Sequence, residues 1–343
     1  MNTRGIATGI GSLPLKEAAS AVDLVLKYCP QAPFWPQLPR RNIREGMVAQ
    51  YSEGLPGLKV TDDGLEFDQK AADEALENFY EHIISMDLDY FRISEPFAAG
   101  LYAFNEALKG RDLQDVRFIK CHVTGPFTFA AGITNGSGVA LIHDEVFMQA
   151  MVKGLIMKAL WQIKLFSGFG KPIIVFFDEP YLAGFGSAFT ALTRESAVKT
   201  MEEFSGALKS PGVLVGVHCC GNTDWSMFTD VKTIDIINFD AFSYMDKFAL
   251  YGPDLAKFLA RGGLLCWGIV PTQDFHSGIT CESLAGMIRS GIDALIKKGA
   301  SRDLISEQLL VSPSCGLGTL QPQAAEQIFG VLGELSAYIR KGT

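Results

Sequence analysis

GVLVGVHCCG, residues 212–221, combines a buried-strand pattern with side chains that can carry chemistry. Its valine and leucine residues form a nearly continuous apolar run, which is typical of a strand covered on both faces in a parallel sheet. The run ends in His218, Cys219 and Cys220. A metal site, a disulfide, a nucleophilic site and an ordinary core are all consistent with this stretch taken alone.

Seven further runs of the same kind predict the rest of the sheet. They are residues 5–12, 89–96, 116–126, 172–180, 234–242, 263–271 and 307–316. Helical stretches alternate with them, including residues 143–167, 191–208, 281–298 and 322–340. Eight strands alternating with helices in 343 residues predict an α/β fold, a single (β/α)8 TIM barrel that forms one catalytic domain over residues 1–343. A doubly wound open sheet is the alternative.

The interval between the first two predicted strands is too long for one crossover connection. It contains the Pro-rich stretch CPQAPFWPQLPRR (29–41) and the sequence LKVTDDGLEF (58–67), which predicts a β-hairpin with Asp63 and Gly64 at its turn. We interpret residues 29–70 as a segment inserted after the first strand. It is expected to lie over one end of the barrel, where it covers the active site or forms an interface.

The charge and cysteine content narrow the class of protein. A net charge of −8 disfavours a nucleic-acid partner, because a polyphosphate would be repelled. The N-terminal residues lack the apolar core of a signal peptide, and no run approaches the ~20 apolar residues of a membrane span. We therefore expect a cytoplasmic protein without a membrane partner. Its seven cysteines are then expected to be thiols, and a bridge between adjacent Cys219 and Cys220 would strain the backbone.

The carboxyl ends of the predicted strands carry an unusual number of reactive side chains. They are Ser12, Glu95, Thr124, Asp178, Glu179, His218, Cys220, Asp240 and Cys315. Each alone is consistent with a helix cap or a small buried residue. In a TIM barrel, however, all strand ends converge on the face where catalysis occurs. Together these residues predict an active site.

Thiolate, imidazole and carboxylate groups are the usual ligands of zinc. His218 and Cys220 are separated by one residue, so both side chains point to the same side of an extended strand, whereas Cys219 points away and packs. Barrel closure can bring Cys315 to the same point, and Asp240 or an incoming substrate is a candidate fourth ligand. The structural alternative is two buried cysteines and a hydrogen-bonded histidine.

A zinc ion held by two thiolates is a weak Lewis acid, because negative, polarisable ligands reduce its effective charge. Such a site suits the binding of a substrate thiol, whose pKa the metal lowers, better than it suits hydrolysis. The ligand set therefore favours a reaction at a thiol.

Three motifs together resemble the catalytic barrel of cobalamin-independent methionine synthase, within the superfamily that includes uroporphyrinogen decarboxylase. They are VHCC (217–220), FFDEP (176–180) and SPSCGLGT (312–319). GIGSLP (9–14) and VTGPFT (123–128) extend the resemblance over nearly the whole chain with the strand order kept.

This resemblance implies a ligand set and a substrate. It places zinc on His218, Cys220 and Cys315, with Asp240 where the family usually has Glu. It also implies a homocysteine site, with the substrate carboxylate near Ile10, Gly11 and Ser12 and the ammonium near Glu95 and Asp178. The catalytic residues carried over are Asp178, His218, Cys220 and Cys315.

The chain departs from the family in three places. The family's full-length enzymes have two barrels, and this chain has the length of one. Their His-Ser-Pro segment on the seventh strand, with its proton-relay histidine, reads GIVPTQDF (268–275) here. Finally, HCCGNTDW (218–225) is more similar to the zinc-dependent corrinoid methyltransferases that alkylate coenzyme M.

These observations predict a zinc-dependent methyltransferase that makes methionine from homocysteine. The predicted donor is a methylated corrinoid, either methylcobalamin or a corrinoid protein, since an alkyl–cobalt donor needs no proton on its leaving group, whereas a folate amine does. Methyltetrahydrofolate, with His276 as the acid, is the alternative donor. A coenzyme M methyltransferase is the rival enzyme, and two carboxylates, Glu95 and Asp178, would repel its sulfonate acceptor. A zinc-storing or regulatory barrel is the non-enzyme alternative.

Overall fold

The computed structural model describes residues 2–187, 190 and 192–342. The strands are β1 (Ile6–Ala7), β2 (Leu58–Thr61), β3 (Gly64–Phe67), β4 (Ile119–Thr124), β5 (Ile173–Asp178), β6 (Val213–Cys219), β7 (Ile236–Phe239), β8 (Leu264–Val270) and β9 (Leu309–Pro313). The helices are α1 (Ala18–Tyr28), α2 (Gln69–Ile84), α3 (Ala99–Lys109), α4 (Pro126–Ala131), α5 (Glu145–Ser167), α6 (Arg194–Ala207), α7 (Trp225–Asp230), α8 (Ala241–Phe248), α9 (Gly252–Ala260), α10 (Cys281–Ile296), α11 (Arg302–Glu307) and α12 (Pro322–Arg340). Short 3-10 helices cover Ile43–Glu45, Ala49–Tyr51, Glu95–Phe97, Leu141–His143, Pro180–Gly184 and Ala249–Tyr251.

Seven strands form one curled, wholly parallel sheet in the order β1-β9-β8-β7-β6-β5-β4. Consecutive strands along the chain are neighbours from β4 to β9, and β1 pairs with β9. Helices connect the strands, so the α/β class is confirmed and the architecture is consistent with a TIM-like barrel. Closure into eight strands stays a prediction.

The sheet contains seven of the eight predicted strands, and the strand predicted at residues 89–96 is wrong. Turns and the 3-10 helix Glu95–Phe97 occupy this stretch. Phe91 and Ile93 are buried, which explains the misleading apolar pattern. The Ser94 backbone N–H donates 2.8 Å to the Glu53 carboxylate, and Pro96 has no N–H to give to a sheet.

The Pro-rich stretch runs beside the sheet rather than only over one end of it. Phe118 N, just before β4, donates 3.0 Å to Gln31 O, and Lys120 N on β4 donates 2.8 Å to Pro33 O. At the other edge, Gln37 N donates 3.0 Å to Gly11 O, just after β1. Residues 31–37 therefore bond to both edges of the seven-stranded sheet. Prolines usually argue against a strand, so the sequence did not predict this placement.

Several local predictions are confirmed. β2 and β3 pair as an antiparallel hairpin with Thr61 opposite Gly64, so the turn is Asp62 and Asp63, one residue before the predicted position. Helices α5, α6, α10 and α12 lie within the predicted helical stretches, although residue 191 of the stretch 191–208 is outside the described residues. Among the helices described, none is both long and apolar enough to cross a membrane.

The interior of the curled sheet is a packed core, distinct from the larger core between the sheet and the helices. Its members are Ile6, Ala32, Phe118, Ile174, Phe176, Ile236, Leu264, Cys266 and Leu310. Lys120 is fully buried near it, donating 2.7 Å from Nζ to Ile10 O and lying 4.4 Å from the centre of the Phe176 ring. This packing closes the interior and leaves the carboxyl ends of the strands open for a site.

Candidate metal centre

Two separate strands bring together three side chains that could hold a metal ion. His218 lies near the end of β6, Cys220 directly follows that strand, and Cys315 follows β9 by two residues. One ligand atom from each lies within 4.8 Å of the others. β7 and β8 separate β6 from β9 in the sheet, so the cluster forms because the sheet curls.

Cys219 takes no part in this cluster. Its side chain is fully buried, its Sγ donates a weak 3.6 Å hydrogen bond to Gly221 O, and burial raises its pKa to about 12. A thiol held neutral in this way behaves as a small packing residue. The alternation of side chains along β6 accounts for the difference between Cys219 and its neighbours.

A hydrogen-bond chain fixes the orientation of His218. The paired strands β5, β6 and β7 place Asp178, His218 and Asn238 side by side. The Asn238 amide nitrogen donates 2.9 Å to Cys266 O and 2.9 Å to Ser312 Oγ, so its oxygen must face His218 Nδ1, to which it is hydrogen bonded. Nδ1 therefore carries the proton, and Nε2 is the nitrogen that could bind a metal ion.

The three clustered groups share protons through hydrogen bonds. A hydrogen bond from the Cys220 thiol, followed by one from His218, lowers the pKa of Cys315 to about 4 against the effect of burial. The same shared proton raises the pKa of Cys220. Burial would lower the pKa of His218, but its hydrogen bond to Cys315 and the nearby Asp178 charge raise it. A metal ion can replace the protons that these three groups share.

The donor set fits zinc. One imidazole nitrogen and two sulfurs are the preferred ligands of this ion, and three protein ligands leave a position open for a substrate, as in catalytic zinc sites. The polar support of His218 by Asn238 is the outer-shell contact expected of a metal-binding histidine.

The carboxylate of Asp240 caps a helix instead of joining the three clustered ligands. Its Oδ1 accepts a 2.8 Å hydrogen bond from Ser243 N at the start of α8. Burial raises its pKa. Ligation by Asp240 stays a prediction, and it would require this carboxylate to use its other oxygen or to move.

The cluster opens into a cavity of about 690 Å³ at the carboxyl ends of the strands. The residues lining it are Ile10, Ser12, Gln37, Pro39, Arg40, Met47, Tyr51, His122, Thr124, Asp178, Pro180, His218, Cys220, Thr272, Gln273, Cys315, Gly316, Gly318, Thr319 and Leu320. The predicted Ile10 and Ser12 are thus present, and Gly11 lies against the His122 ring. The predicted inserted segment contributes Gln37, Pro39, Arg40, Met47 and Tyr51.

Asp178 is the only carboxylate among the described residues that line this cavity. Burial raises its pKa to about 6, although the His218 and Lys120 charges oppose the shift. Its Oδ1 is buried and accepts no hydrogen bond from the described residues. Leaving a buried acceptor without a donor costs about 1–3 kcal/mol. A ligand that donates a hydrogen bond to Asp178 would remove this cost.

Glu95 and Glu179 have other roles than the sequence suggested. Glu95 is exposed and lines a different surface cavity together with Arg41 and Glu106, contrary to its predicted place beside the substrate. The reason is that residues 89–96 form no strand. Glu179 is buried, and its carboxylate accepts hydrogen bonds from Phe127 N (3.0 Å) and Thr128 N (2.8 Å), which stabilise the start of α4.

Sequence reasoning missed His122. This residue lies on β4 two positions before Thr124, and that spacing puts it on the same strand face, which is a signal that was present in the sequence. Its ring is buried and stacks on Trp35 with 3.9 Å between ring centres, and neither ring nitrogen has a hydrogen-bond partner within the described part of the chain. It lies on the wall of the same cavity as the three metal-binding side chains.

We expect Asn238→Leu to weaken zinc binding about 10- to 100-fold, since the loss of an outer-shell partner frees the histidine ring. Competition with a chromophoric chelator measures this affinity. Asn105→Leu is the matched control, because Asn105 is also buried but lies on α3 and does not line the cavity. Equal zinc affinity in Asn238→Leu and wild type would contradict the assigned role of Asn238.

Comparison with known proteins identifies a shared fold. No family model and no curated protein matches the sequence. Among solved structures, a B12-independent methionine synthase from Shewanella sp. W3-18-1, in complex with selenomethionine, superposes with a TM-score of 0.60 at 16% identity, covering 99% of this chain and 98% of that one. A GH138 enzyme targeting pectin rhamnogalacturonan II matches with a TM-score of 0.30 at 12% identity over 73% of this chain and 36% of that one.

Proposed function

We propose that this protein is a zinc-dependent S-methyltransferase that makes methionine from homocysteine. The observation that carries the proposal is the His218, Cys220 and Cys315 cluster at the edge of a cavity that also holds the unpartnered Asp178 carboxylate. The full-length fold likeness to a methionine synthase, solved with selenomethionine, supports it. A thiol-binding metal and an ammonium-binding carboxylate in one cavity suit an amino acid that carries a thiol.

When bound at this cluster, zinc would keep the substrate thiol deprotonated near neutral pH. The chain's own residues prepare the site for this. Asn238 holds His218 with Nε2 free, and Cys220 and Cys315 supply the negative charge that retains the ion. Asp240 remains a proposed additional ligand, at the position that a substrate thiol would otherwise take.

The proposal also assigns places in the cavity to the remaining groups of homocysteine. We propose that the ammonium binds Asp178, whose Oδ1 lacks a donor. The substrate carboxylate is proposed to lie near Ile10, Gly11 and Ser12, the segment that follows β1. The distinction from coenzyme M then rests on Asp178 alone, because Glu95 lies elsewhere.

For the fold, we propose a single (β/α)8 barrel over residues 1–343 in which residues 31–37 take the position of the eighth strand. Their hydrogen bonds to β4 and to Gly11 after β1 support this proposal. The first part of the inserted segment would then be one of the barrel strands, and its later part forms a wall of the cavity.

We propose a methylated corrinoid as the methyl donor. The supporting observation is that Thr272 and Gln273, the strand-end polar groups of β8 in the cavity, are not acids near pH 7. The similar Shewanella protein is described as B12-independent, which does not support this donor. Methyltetrahydrofolate is therefore the second candidate.

The test is methyl transfer by the zinc-loaded protein to homocysteine and, separately, to coenzyme M, with methylcobalamin and methyltetrahydrofolate offered as donors. We expect methionine, detected by mass spectrometry, and loss of the reaction after chelation and its recovery with zinc. Preferential methylation of coenzyme M would assign the rival reaction. A protein that binds zinc but methylates neither thiol with either donor would favour the storage role.

We expect Asp178→Asn to weaken homocysteine binding about 10- to 100-fold, since a charge-assisted hydrogen bond contributes roughly 1.5–3 kcal/mol. Binding of 4-mercaptobutanoate, which has the thiol and carboxylate but no amine, should change much less. Calorimetric titration of the zinc-loaded proteins measures both. Equal losses for the two thiols would contradict an ammonium site at Asp178.

A further inference from the structure

The His122 side chain is held rigidly in the cavity wall while its ring nitrogens have no partner. Its backbone carbonyl accepts hydrogen bonds from Tyr51 Oη at 3.0 Å and Gln162 Nε2 at 3.1 Å. Gln162 also accepts 2.9 Å from the indole nitrogen of Trp35, the residue on which the imidazole stacks. These contacts fix both the strand position and the ring plane of His122.

Gly11 leaves space for this ring. A Cβ at residue 11 would lie 2.8 Å from Nε2 and from Cε1 of His122, closer than atoms can approach. The glycine therefore lets the imidazole lie directly against the segment Ile10–Ser12 after β1. His122 is 2% exposed, yet neither Nδ1 nor Nε2 has a hydrogen-bond partner among the residues that the structure describes. A buried, positioned and unpartnered side chain in a cavity indicates a ligand-binding group.

The charges around His122 select the kind of group that binds there. Burial lowers its pKa well below the ordinary value, and the ammonium of Lys120 lowers it further, so the ring is neutral and offers one N–H. Lys120 lies two residues earlier on β4 and is fully buried. The ammonium of Lys120 therefore favours an anion over a cation beside the ring, while the Asp178 carboxylate lies two residues higher on β5 than the partner of His122.

We infer that His122 is a specificity-determining residue that donates a hydrogen bond from its imidazole N–H to the carboxylate of the amino-acid acceptor, beside the segment Ile10–Ser12. The inference rests on the proposed function and adds a residue to it. Asp178 takes the ammonium, so the two unpartnered side chains of the cavity bind the two charges of one zwitterion.

The two sites are arranged in a way that fits such a ligand. His122 pairs in register with Phe176, two residues below Asp178 on β5, so the imidazole lies deeper in the cavity than the carboxylate. The acceptor's carboxylate thus points down toward β1 and β4. Its ammonium faces β5, and its thiol faces the cluster on β6 and β9. A donor molecule would enter above them, where the cavity is open.

The test uses zinc-loaded protein and three thiols: homocysteine, 3-aminopropane-1-thiol without the carboxylate, and 4-mercaptobutanoate without the amine. His122→Leu removes the N–H at similar volume, and His122→Gln restores a donor. Calorimetric titration should show about 10- to 100-fold weaker binding of homocysteine and 4-mercaptobutanoate to His122→Leu. Binding of 3-aminopropane-1-thiol should stay within about 2-fold, as expected when the lost contact is confined to the carboxylate. His122→Gln should regain most of the loss.

Two outcomes would overturn the inference alone. Equal weakening of all three thiols in His122→Leu would indicate a structural role, and unchanged binding of homocysteine would mean that the carboxylate lies elsewhere. In both cases wild-type protein still binds homocysteine and the proposed function stands. If wild-type zinc-loaded protein binds none of the thiols, or binds all three equally, the proposed function fails and the inference fails with it. Zinc content, measured on each variant, should equal that of wild type.

Discussion

Cys220→Ser and Cys315→Ser proteins are expected to purify with almost no zinc, whereas wild-type protein should hold about one ion per chain, as three-ligand catalytic sites do. Each substitution removes one of the three clustered ligands. The affinity should fall by more than the roughly 10- to 100-fold that loss of an outer-shell contact causes. Mass spectrometry of metals in the purified proteins measures the content, and methyl transfer should be lost in parallel.

Cys219→Ser is the matched control for this experiment. Cys219 lies between two of the proposed ligands in sequence, yet it is buried on the opposite side of β6 and bonds to Gly221 O. Its substitution should leave zinc content near that of wild type, with a modest loss of stability from placing a hydroxyl in an apolar site. An empty site in Cys219→Ser, with zinc retained in Cys220→Ser, would reverse the assignment of the strand faces.

Much of this centre could be predicted from the sequence because it depends on local periodicity. The alternation of side chains along an extended strand separates His218 and Cys220 from Cys219, and the structure places them as that rule requires. Cys315 is different, since it reaches the cluster only through the curl of the sheet across β7 and β8. The sequence indicated that the sheet could close but did not predict how near Cys315 would lie to His218 and Cys220.

The parts that could not be predicted involve contacts distant in sequence. Residues 89–96 have the apolar residues of a strand. However, the backbone N–H of Ser94 donates to the Glu53 carboxylate, and Pro96 has no N–H to donate to a neighbouring strand. Residues 31–37 have the prolines of a loop, yet they bond to β4 and to Gly11. In both segments tertiary hydrogen bonds override the local pattern.

His122 shows a further limit of the sequence. A histidine within a buried strand is usually hydrogen bonded, and only the folded structure shows that both nitrogens of this one lack a partner among the described residues. Its position relative to the Ile10–Ser12 segment depends on residues 31–37, which bond both to Gly11 after β1 and to β4. The sequence places the two motifs more than a hundred residues apart.

Methionine is expected from methylcobalamin and homocysteine, with about 10²- to 10⁴-fold slower turnover when methyltetrahydrofolate is the only donor. The reason lies in the leaving group. Methyl transfer from a folate nitrogen requires that nitrogen to be protonated. A positioned acid commonly accelerates such a step by the rate factor given above. Cobalt needs no proton, because it keeps the electron pair of the broken bond. Rates are compared with matched donor concentrations and the same zinc-loaded protein.

The expectation depends on which acids the cavity offers. Thr272 and Gln273 line it but cannot donate a proton near pH 7. His276, the nearest histidine along the chain after β8, is exposed, accepts 3.1 Å from Gly278 N and does not line the cavity. His122 does line it, but burial and Lys120 hold its pKa so low that it is neutral and a poor acid.

Variants at two positions separate these possibilities. His276→Ala should leave the cobalamin reaction nearly unchanged, because this exposed side chain is not among the described residues that line the cavity. Robust turnover with methyltetrahydrofolate that disappears in His276→Ala would restore the folate donor, with the loop after β8 folding over the cavity. If the folate reaction is instead lost in His122→Leu and regained in His122→Gln, proton donation by His122 is excluded, because an acid could not be replaced by an amide. His122 would then act through a hydrogen bond alone.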